Sequence, residues 1–377
     1  MEDHSNDVLT SVMHLPDDCL IIIFQWLGSC SDCESFGLTC HRWYNIQNVS
    51  CHSLRFPSCF ARLYYLHSDS YCLHRLLTRF QHLHHLSLSG CTRLPNSSLT
   101  PLQFYRSKLH SLHLDCCSGI TDSGLSLVAT GSSSLMVINL SKCNMTDVGL
   151  ETLANGCSAL KQISLSYCPL VSDSGLRALS QACHHLQTVK ISCCRKINGI
   201  GLTGCSPTLA YLDADFCNLK PNGIVGIVSG GGLEYLNVSH ISHCIPEDGL
   251  AVIGSGFATR LRILYLWNCK TVGDKSIMAI AKGCPLLQEW NLGSCDAVKI
   301  SGWKSIGSNC NKLEKLHVDR CQNLCDDGLQ ALREGCKRLS VLYISKHCRQ
   351  FSSTALEEFK LYRNNVDIRE QKLTIQM

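Results

Sequence analysis

The chain has 377 residues, 17% of them charged, and a formal net charge of only +4. This charge balance excludes the polybasic surface that nucleic acid or anionic lipid would need, so we expect protein partners, with no nucleic acid and no membrane among them. The longest strongly apolar stretch, residues 19–24, is too short to span a bilayer, and the acidic N-terminus lacks the pattern of a signal peptide. We therefore expect a soluble protein of the cytoplasm, the nucleus or both.

Residues 14–49 are predicted to form a small helical domain, called the head here, after a disordered stretch over residues 1–13. Pro16 followed by two aspartates indicates a helix start, and apolar residues then recur at intervals of three and four. A second apolar pattern runs from Phe36 to Trp43. A segment of this length cannot bury a core of its own, so part of its apolar surface must be covered by the rest of the chain or by a partner.

Two groups of cysteines and histidines raise the question of a metal site. Cys30 and Cys33 are followed by Cys40 and His41, but Cys40 lies on an apolar helical pattern and no second pair stands at the usual distance. A histidine cluster between residues 82 and 113 fits polar surface side chains better than a ligand set. The sequence therefore predicts no metal ion and no cofactor.

Between residues 83 and 363 the sequence repeats about every 26 residues. One copy reads LHHLSLSGC from Leu83, and most of the others keep its spacing of apolar residues and its closing cysteine. Eleven copies begin at Leu83, Leu109, Leu135, Leu160, Leu186, Leu209, Leu233, Leu261, Leu287, Leu313 and Leu339. This period is typical of leucine-rich repeats, and residues 50–82, with Leu54 and a helical apolar pattern, are predicted to be a degenerate capping repeat.

Within each copy, the fourth and sixth residues point to one face of a short strand, and the third, fifth and seventh to the other. An Asp or Thr ahead of an apolar pattern, as in Thr146 and Asp147, predicts a helix start after each strand. Stacked repeats then place parallel strands on a concave face and helices on the convex face. The predicted fold class is α/β, a leucine-rich-repeat solenoid with a small N-terminal helical domain.

Most of the 27 cysteines follow the register of the repeats. Nine occupy the ninth position of a copy: Cys91, Cys117, Cys143, Cys168, Cys194, Cys217, Cys269, Cys295 and Cys321. Six more close the helical half: Cys157, Cys183, Cys205, Cys284, Cys310 and Cys336. Because copies in the same register lie one repeat apart along the stack, we predict reduced, structural thiols and not a disulfide framework.

Two stretches depart from the repeat pattern. Copies six and seven are expected to be irregular, since they carry the flexible run Ser229–Gly232 and Ile241 replaces the register cysteine. A polar C-terminal tail over residues 364–377 is expected to be frayed.

The head also carries a recognisable motif. The string LPDDCLxxIFxxL from Leu15, followed by LTCHRWY from Leu38, resembles an F-box, and an F-box before cysteine-containing leucine-rich repeats resembles the F-box/LRR family, particularly its plant members. This resemblance implies that the F-box docks the Skp-type adaptor of a Skp-cullin-F-box (SCF) ubiquitin ligase, with its cullin and RING subunits, while the repeats capture a protein substrate for ubiquitination and degradation. It assigns adaptor binding, or support of the adaptor-binding helices, to Leu15, Pro16, Leu20, Ile23, Phe24, Leu27, Leu38, Cys40 and Trp43.

Plant hormone receptors of this architecture hold a small molecule and an inositol polyphosphate on a basic inner face. Here the predicted inner face has few cations, chiefly Lys190 and Lys315, interspersed with acids such as Asp115 and Glu289. A phosphate clamp needs several converging cations, so the resemblance is not extended to that cofactor.

Aromatic residues concentrate on the concave side of copies six to eight, whereas copies one to four present mainly small or polar groups there. Aromatic side chains are enriched where interfaces concentrate their binding energy, and flanking aspartates favour a basic segment. We therefore predict substrate binding by Tyr211, Asp213, Asp215, Phe216, Tyr235, Tyr265 and Trp267.

No catalytic signature occurs, since the sequence has no phosphate-binding loop, no nucleophile elbow and no His-Glu-x-x-His motif. We expect a non-catalytic subunit that holds a substrate near an enzyme recruited by another subunit. A leucine-rich-repeat binding or inhibitor protein without a ligase role is an alternative that explains the repeats but not the head. An enzyme with a cysteine or metal site is a second alternative, which lacks any signature.

Overall fold

The computed structural model describes residues 12–56, 69–104, 108–241, 245–246, 248–345 and 350–370. Most of the stretch expected to be disordered, residues 1–11, therefore lies outside the described residues. The head begins with a 3-10 helix at Val12–His14 and continues with three α-helices: α1 (Asp17–Trp26), α2 (Cys30–Thr39) and α3 (His41–Ser50).

In the part of the chain that the structure describes, thirteen short strands form one parallel sheet, in which each strand pairs with the next along the chain. They are β1 (Ser53–Arg55), β2 (His85–Ser87), β3 (Ser111–His113), β4 (Val137–Asn139), β5 (Gln162–Ser164), β6 (Thr188–Lys190), β7 (Tyr211–Asp213), β8 (Tyr235–Asn237), β9 (Ile263–Tyr265), β10 (Glu289–Asn291), β11 (Lys315–His317), β12 (Val341–Ile344) and β13 (Asp367–Glu370). This arrangement is the predicted leucine-rich-repeat solenoid.

Helices cover the convex side of the sheet, and one continuous apolar core fills the space between the two layers. The α-helices of the solenoid are α4 (Asp69–Arg79), α5 (Asp122–Gly131), α6 (Asp147–Gly156), α7 (Asp173–Ala182), α8 (Pro221–Val228), α9 (Asp274–Gly283), α10 (Ile300–Asn309), α11 (Asp326–Gly335) and α12 (Ser353–Tyr362). In β7 and just beyond it, Leu212 and Ala214 are fully buried, whereas Tyr211, Asp213 and Asp215 are half-buried on the other face. The predicted alternation along the strands is therefore confirmed.

Three copies have a 3-10 helix where the sequence predicts an α-helix: Asn96–Phe104 in the first, Ile200–Leu202 in the fifth and Ala251–Gly254 in the seventh. The prediction of an α-helix in every copy is wrong at these places. Pro101 lies inside the first of them and has no N–H group for a helical hydrogen bond. The fifth copy has only 23 residues before the next leading leucine, which leaves little chain for a helix. The irregularity expected in copies six and seven thus begins one copy earlier.

A residue with positive φ stands directly before the register cysteine in successive repeats, as at Cys116 (φ 61°) and Lys142 (φ 59°). This left-handed conformation costs a non-glycine residue about 1–2 kcal/mol. After this turn the next thiol reaches the preceding repeat, and Cys143 Sγ donates a hydrogen bond to the carbonyl oxygen of Leu114 at 3.0 Å. Burial raises the pKa of the Cys143 thiol to about 12, so this donor keeps its proton at neutral pH.

On the convex side, aspartates join neighbouring repeats. Thr146 caps α6, since its hydroxyl oxygen accepts a hydrogen bond from the N–H of Val148 at 3.3 Å. Asp147 is the first helical residue, and its carboxylate accepts bonds from the N–H (2.8 Å) and the hydroxyl (2.5 Å) of Ser172 in the next repeat. The side chain of Asp147 therefore does not cap its own helix but holds the N-terminus of the next one.

The C-terminal segment differs from the prediction of a frayed tail from residue 364. Asp367–Glu370 forms β13, which pairs in parallel with β12. The guanidinium of Arg363 holds the chain there, because it donates to the carbonyl oxygens of Cys336 (3.0 Å) and Leu339 (3.0 Å). The prediction is wrong for these residues, since strand pairing and the Arg363 contacts satisfy polar groups that a frayed chain would leave to water. Residues 371–377 lie outside the described residues.

Replacing Cys143 by Ala should lower the free energy of unfolding by about 1–2 kcal/mol. The change removes one of two donors to the carbonyl oxygen of Leu114, the other being the N–H of Cys117. Urea unfolding followed by circular dichroism measures the effect. Cys19→Ala is the matched control, since that thiol is exposed. Equal unfolding midpoints for the two variants would show that the thiol bond contributes nothing.

Candidate functional site

The head has a small core of its own, so the expectation that a segment of this length cannot bury one is wrong. Leu20, Phe24, Phe36 and Ile46 are buried together, and the rings of Phe36 and Trp43 stack with centroids 4.4 Å apart. Three more residues of the predicted adaptor-binding set pack partly against this core: Leu15, Leu27 and Trp43. Leu20, Phe24 and these three residues therefore support the helices from inside.

Several large apolar side chains of the head are exposed. Trp26 at the end of α1 is 84% exposed, Leu38 on α2 is 85% exposed, and Ile22 on α1 is 54% exposed. Ile23 is exposed as well. We call Ile22, Ile23, Trp26 and Leu38 the apolar surface of the head. Sequence reasoning missed Ile22 and Trp26, because α1 is apolar around most of its circumference and its periodicity alone does not separate the inner from the outer side.

The two remaining residues of the predicted set lie at helix starts. Pro16 is exposed directly before α1, and Cys40 is half-buried directly before α3. Arg42 on α3 links this helix to α1, because it forms an ion pair with Asp17, the first residue of α1, at 2.6 Å. Its guanidinium also donates to the carbonyl oxygen of Leu15 at 2.5 Å.

The head is joined to the solenoid through Arg79 at the end of α4. The Arg79 guanidinium donates to Asn48 Oδ1 at 2.6 Å and to Gln47 Oε1 at 2.5 Å, both on α3. It also lies 4.0 Å above the ring centroid of Tyr44. These contacts are directional, so they hold the head in a defined orientation on the first helix of the repeats.

On the concave face the predicted substrate-binding residues lie side by side. The rings of Tyr211 and Tyr235 stack at 4.0 Å, and Tyr235 meets Tyr265 edge-on at 5.6 Å. A second row at the strand exits contains Phe216, which stacks on His240 at 3.6 Å, and Trp267, whose ring centroid lies 4.6 Å from that of His240. We call these aromatic residues, with His240, the aromatic surface: Tyr211, Phe216, Tyr235, His240, Tyr265 and Trp267.

The two predicted acidic residues lie within this surface and are held by neighbours one repeat further on. Asp213 accepts a hydrogen bond from Asn237 Nδ2 at 3.0 Å, and Asp215 lies 2.8 Å from His240 Nδ1. Both carboxylates therefore have fixed positions while remaining half-buried at the concave face.

A carboxylate that the sequence reasoning left out of the site, Glu289, lies beside Tyr265. It accepts a hydrogen bond from the Tyr265 hydroxyl at 2.6 Å and lies 3.3 Å from Lys315 Nζ. His317 Nε2 lies 3.5 Å from the same carboxylate, a distance too long for a well-formed hydrogen bond. Contact with His317, and then with Tyr265 and Lys315, lowers the pKa of Glu289 to about 2 against the opposing effect of burial. Glu289 is therefore a persistent negative charge.

Trp267 has a fixed position because Gly293 leaves room for it. A Cβ atom at Gly293 would lie 2.5 Å from Trp267 Cδ1 and 2.8 Å from Asp319 Oδ1. Without that atom, the indole and the carboxylate meet above the glycine. Burial raises the pKa of Asp319, and a hydrogen bond from Trp267 partly offsets that rise. An ordered aromatic side chain loses little conformational freedom on binding, which favours its use as an anchor.

Two observations apply to the described residues. No group of three or more His, Cys, Asp or Glu side chains in that part of the chain could hold a metal ion. None of the helices described is both long and apolar enough to cross a membrane.

Comparisons with known proteins give relatives for the chain. A family model described as Leucine Rich repeat matches residues 106–129 and 131–154. The chain is 57% identical over 300 residues to F-box/LRR-repeat protein 12 of Arabidopsis thaliana, a match that covers 77% of this chain and 76% of that protein. It is 33% identical over 69 residues to F-box/LRR-repeat protein 4 of Bos taurus, covering 18% of this chain and 11% of the relative. The crystal structure of the Rad7 and Elc1 complex in yeast includes a chain that is 16% identical, with a TM-score of 0.49 over 93% of this chain and 92% of that one.

The stability of the chain should depend on pH through Glu289. Because its pKa is lowered from 4.5 to about 2 on folding, the carboxylate stabilises the folded state above pH 4.5 and loses this effect as the pH falls toward 2. Wild type should exceed Glu289→Gln in free energy of unfolding by on the order of 2 kcal/mol at neutral pH, and by less near pH 3. Urea unfolding at both pH values tests this.

Glu151→Gln is the control for the Glu289 variant, since Glu151 is exposed on the convex helix α6. The difference between wild type and this control should not change with pH. The assigned role of Glu289 is wrong if the difference in free energy of unfolding between wild type and Glu289→Gln is also the same at both pH values.

Proposed function

The chain belongs to the F-box/LRR-repeat proteins, and we propose that it is the substrate-recognition subunit of an SCF ubiquitin ligase. One observation carries this proposal: a small helical head with exposed apolar side chains is held in a defined orientation on a solenoid whose concave face carries a second, aromatic surface. Two such surfaces on one chain suit a protein that connects two partners.

The apolar surface of the head is the proposed docking site for a Skp-type adaptor, through which a cullin and a RING subunit join the complex. Trp26 and Leu38 are almost completely exposed to solvent, although both are large apolar side chains whose burial is favourable. Burying such a side chain yields about 1.5–3 kcal/mol, so the two together supply much of the energy that a stable interface needs.

The aromatic surface is the proposed binding site for a protein substrate. Its rings are held by stacking and by hydrogen bonds before any partner binds, which reduces the entropy lost on association. The carboxylates of Asp213, Asp215 and Glu289 lie among or beside the rings. Because cations bind well over aromatic faces and near carboxylates, a segment with Lys or Arg side chains is the preferred substrate chemistry.

In this proposal the chain has no catalytic residue and acts by proximity. Holding a substrate lysine close to a ubiquitin-carrying enzyme turns an encounter between separate molecules into a reaction within one complex, which raises the effective concentration of the lysine. The Arg79 contacts with Tyr44 and Asn48 support this role, since a defined joint keeps the distance between the two partners within a narrow range. We place this activity in the cytoplasm, the nucleus or both.

Adaptor binding should be lost when the apolar surface of the head is made polar. The double variant Leu38→Asp, Trp26→Ala removes two exposed apolar side chains and leaves the buried core residues of the head unchanged. The pair should weaken capture of a purified Skp-type adaptor by at least about 100-fold, because each contributes on the order of 2 kcal/mol or more. Val148→Asp on the convex side is the control, since Val148 is 65% exposed. Full adaptor capture by the double variant would exclude this docking surface.

Substrate binding should be lost when Tyr265 and Trp267 are both changed to Ala, with adaptor binding unchanged. The expected loss is at least ~2 kcal/mol of substrate affinity, because aromatic anchors at an interface centre contribute that much. Substrates are captured from extracts with a head variant that lacks adaptor binding and are then tested with the purified chain. Tyr167→Ala is the matched control, since Tyr167 is an exposed aromatic residue outside the aromatic surface. Normal capture by the double variant would rule the site out.

A further inference from the structure

The last strand of the sheet, β13, has an open edge. In the part of the chain that the structure describes, the sheet ends at β13, which pairs with β12 on one side only. In an interior copy the core-facing Leu266 donates its N–H to the next repeat, to the carbonyl oxygen of Asn291 at 2.8 Å. Ile368 faces the core in the same way, so its N–H and carbonyl groups point away from β12, to the open edge, where another strand can bind.

The apolar core is also incomplete at this end of the sheet. In three interior strands the residue at the position of Ile368 is fully buried, and these residues are Trp290, Leu316 and Leu342. Ile368 is only half-buried, and it packs partly against the core together with Leu356 of α12. The interior residues have a strand on both sides, whereas Ile368 has a strand on one side. A further strand beside β13 would therefore bury more apolar surface, which favours its binding.

The charges of β13 determine which strand fits this edge. Asp367 and Arg369 lie on the concave face on either side of Ile368, with both side chains 55% exposed, and they form an ion pair at 2.6 Å. This short sequence is complementary to itself in the antiparallel direction. A strand that carries an acid and a base at the same two positions, such as β13 of a second copy, places opposite charges across the edge.

The direction of the backbone groups limits the register of such a pair. Because Ile368 bonds across the open edge, two copies of β13 with most of the strand paired have their two-fold axis at residue 367, 368 or 369. An axis at residue 367 places the two Asp367 side chains opposite each other, and an axis at residue 369 does the same for Arg369. Only the axis at Ile368 places Asp367 of each copy opposite Arg369 of the other.

We propose that β13 pairs in the antiparallel direction with β13 of a second copy, about a two-fold axis at Ile368, and that the chain thereby forms a dimer. The two Ile368 residues exchange both backbone hydrogen bonds. Asp367 and Arg369 then form two non-hydrogen-bonded pairs between the copies, with Cα atoms about 4.5 Å apart. Because the same surface is used on both copies, assembly closes at two.

The dimer uses the end of the sheet opposite to the head, which lies before β1. It therefore does not depend on the proposed function. If that function holds, one dimer carries two heads and two aromatic surfaces, and a substrate with two binding segments would gain affinity through the second contact.

The test is sedimentation velocity of the purified full chain over about two orders of magnitude in concentration. Wild type should shift from monomer to dimer. Arg369→Asp and Asp367→Arg each turn both opposite-charge pairs into like-charge pairs, so each should weaken dimer formation by at least about tenfold. Arg177→Asp is the matched control, since Arg177 is an exposed arginine on the convex helix α7, and this variant should associate like wild type.

An equimolar mixture of Arg369→Asp and Asp367→Arg separates pairing between copies from the ion pair within one chain. The first variant has two acidic side chains at these positions and the second has two basic ones, so neither chain can form its own ion pair. Between unlike copies, however, both pairs are again opposite in charge. The mixture should therefore regain the dimer formation of wild type.

A wild-type chain that stays monomeric throughout would overturn the proposal, and protection of the Ile368 amide from hydrogen exchange in that monomer would assign the edge to another segment of the same chain. Failure of the mixture to associate would overturn the proposal as well. So would an equal loss in Arg177→Asp, or species larger than a dimer. None of these outcomes involves adaptor or substrate, so failure here is distinct from failure of the proposed function.

Discussion

The fold depends on hydrogen bonds that run from one repeat to the next. A repeat of this size cannot satisfy its own polar groups where the chain leaves the strand. From Cys117 to Cys321, the thiols of the register cysteines therefore bond to a carbonyl oxygen one repeat back, as in Cys117 to Leu88 at 3.1 Å and Cys295 to Leu266 at 3.1 Å. Burial raises the thiol pKa values and keeps the donors protonated. On the convex side, aspartates such as Asp173 accept from backbone N–H groups of the following repeat, here Gly199 at 2.9 Å. Each repeat is therefore incomplete without its neighbours, and this interdependence keeps the strands in register.

Because the register is strict, the concave face is organised in rows. Residues at the same position of consecutive copies become neighbours at the strand spacing, so aromatic residues at one position stack without further adjustment. Tyr211 and Tyr235 stack with an interplanar angle of 4°, and His317 and Tyr343 stack at 10°. A substitution at such a position changes the surface and leaves the core residues on the other face of the strand in place. This separation allows one array to carry an aromatic surface on some copies and small polar side chains on others.

The sequence predicted what depends on the period: the repeats, the parallel strands, the inward leucines, the buried register thiols and the neighbours within a row. It missed what depends on geometry between rows or between repeats further apart. Trp267 meets Asp319 two repeats away only because Gly293 has no side chain. Glu289 lies beside Tyr265, a residue at a different strand position.

In the head, the apolar pattern of α1 does not distinguish the buried Phe24 from the exposed Trp26, because burial there depends on how three helices pack. At the C-terminus, polar composition indicated fraying, yet Arg363 and pairing with β12 order the chain.

The joint between the head and the repeats determines how the proposed function could work. A flexible linker would let the two partners occupy a wide range of distances, which lowers their effective concentration. Here the Arg79 guanidinium stacks on Tyr44 and donates a hydrogen bond to Asn48, and these contacts fix the head against the repeats. The distance from the adaptor to a bound segment is then determined by which copy binds it. A substrate on copies six to eight would be held several strand spacings from the head, whereas a segment bound to the first copies would lie next to it. In such a protein the position of a recognition residue along the array selects which substrate lysine comes within reach.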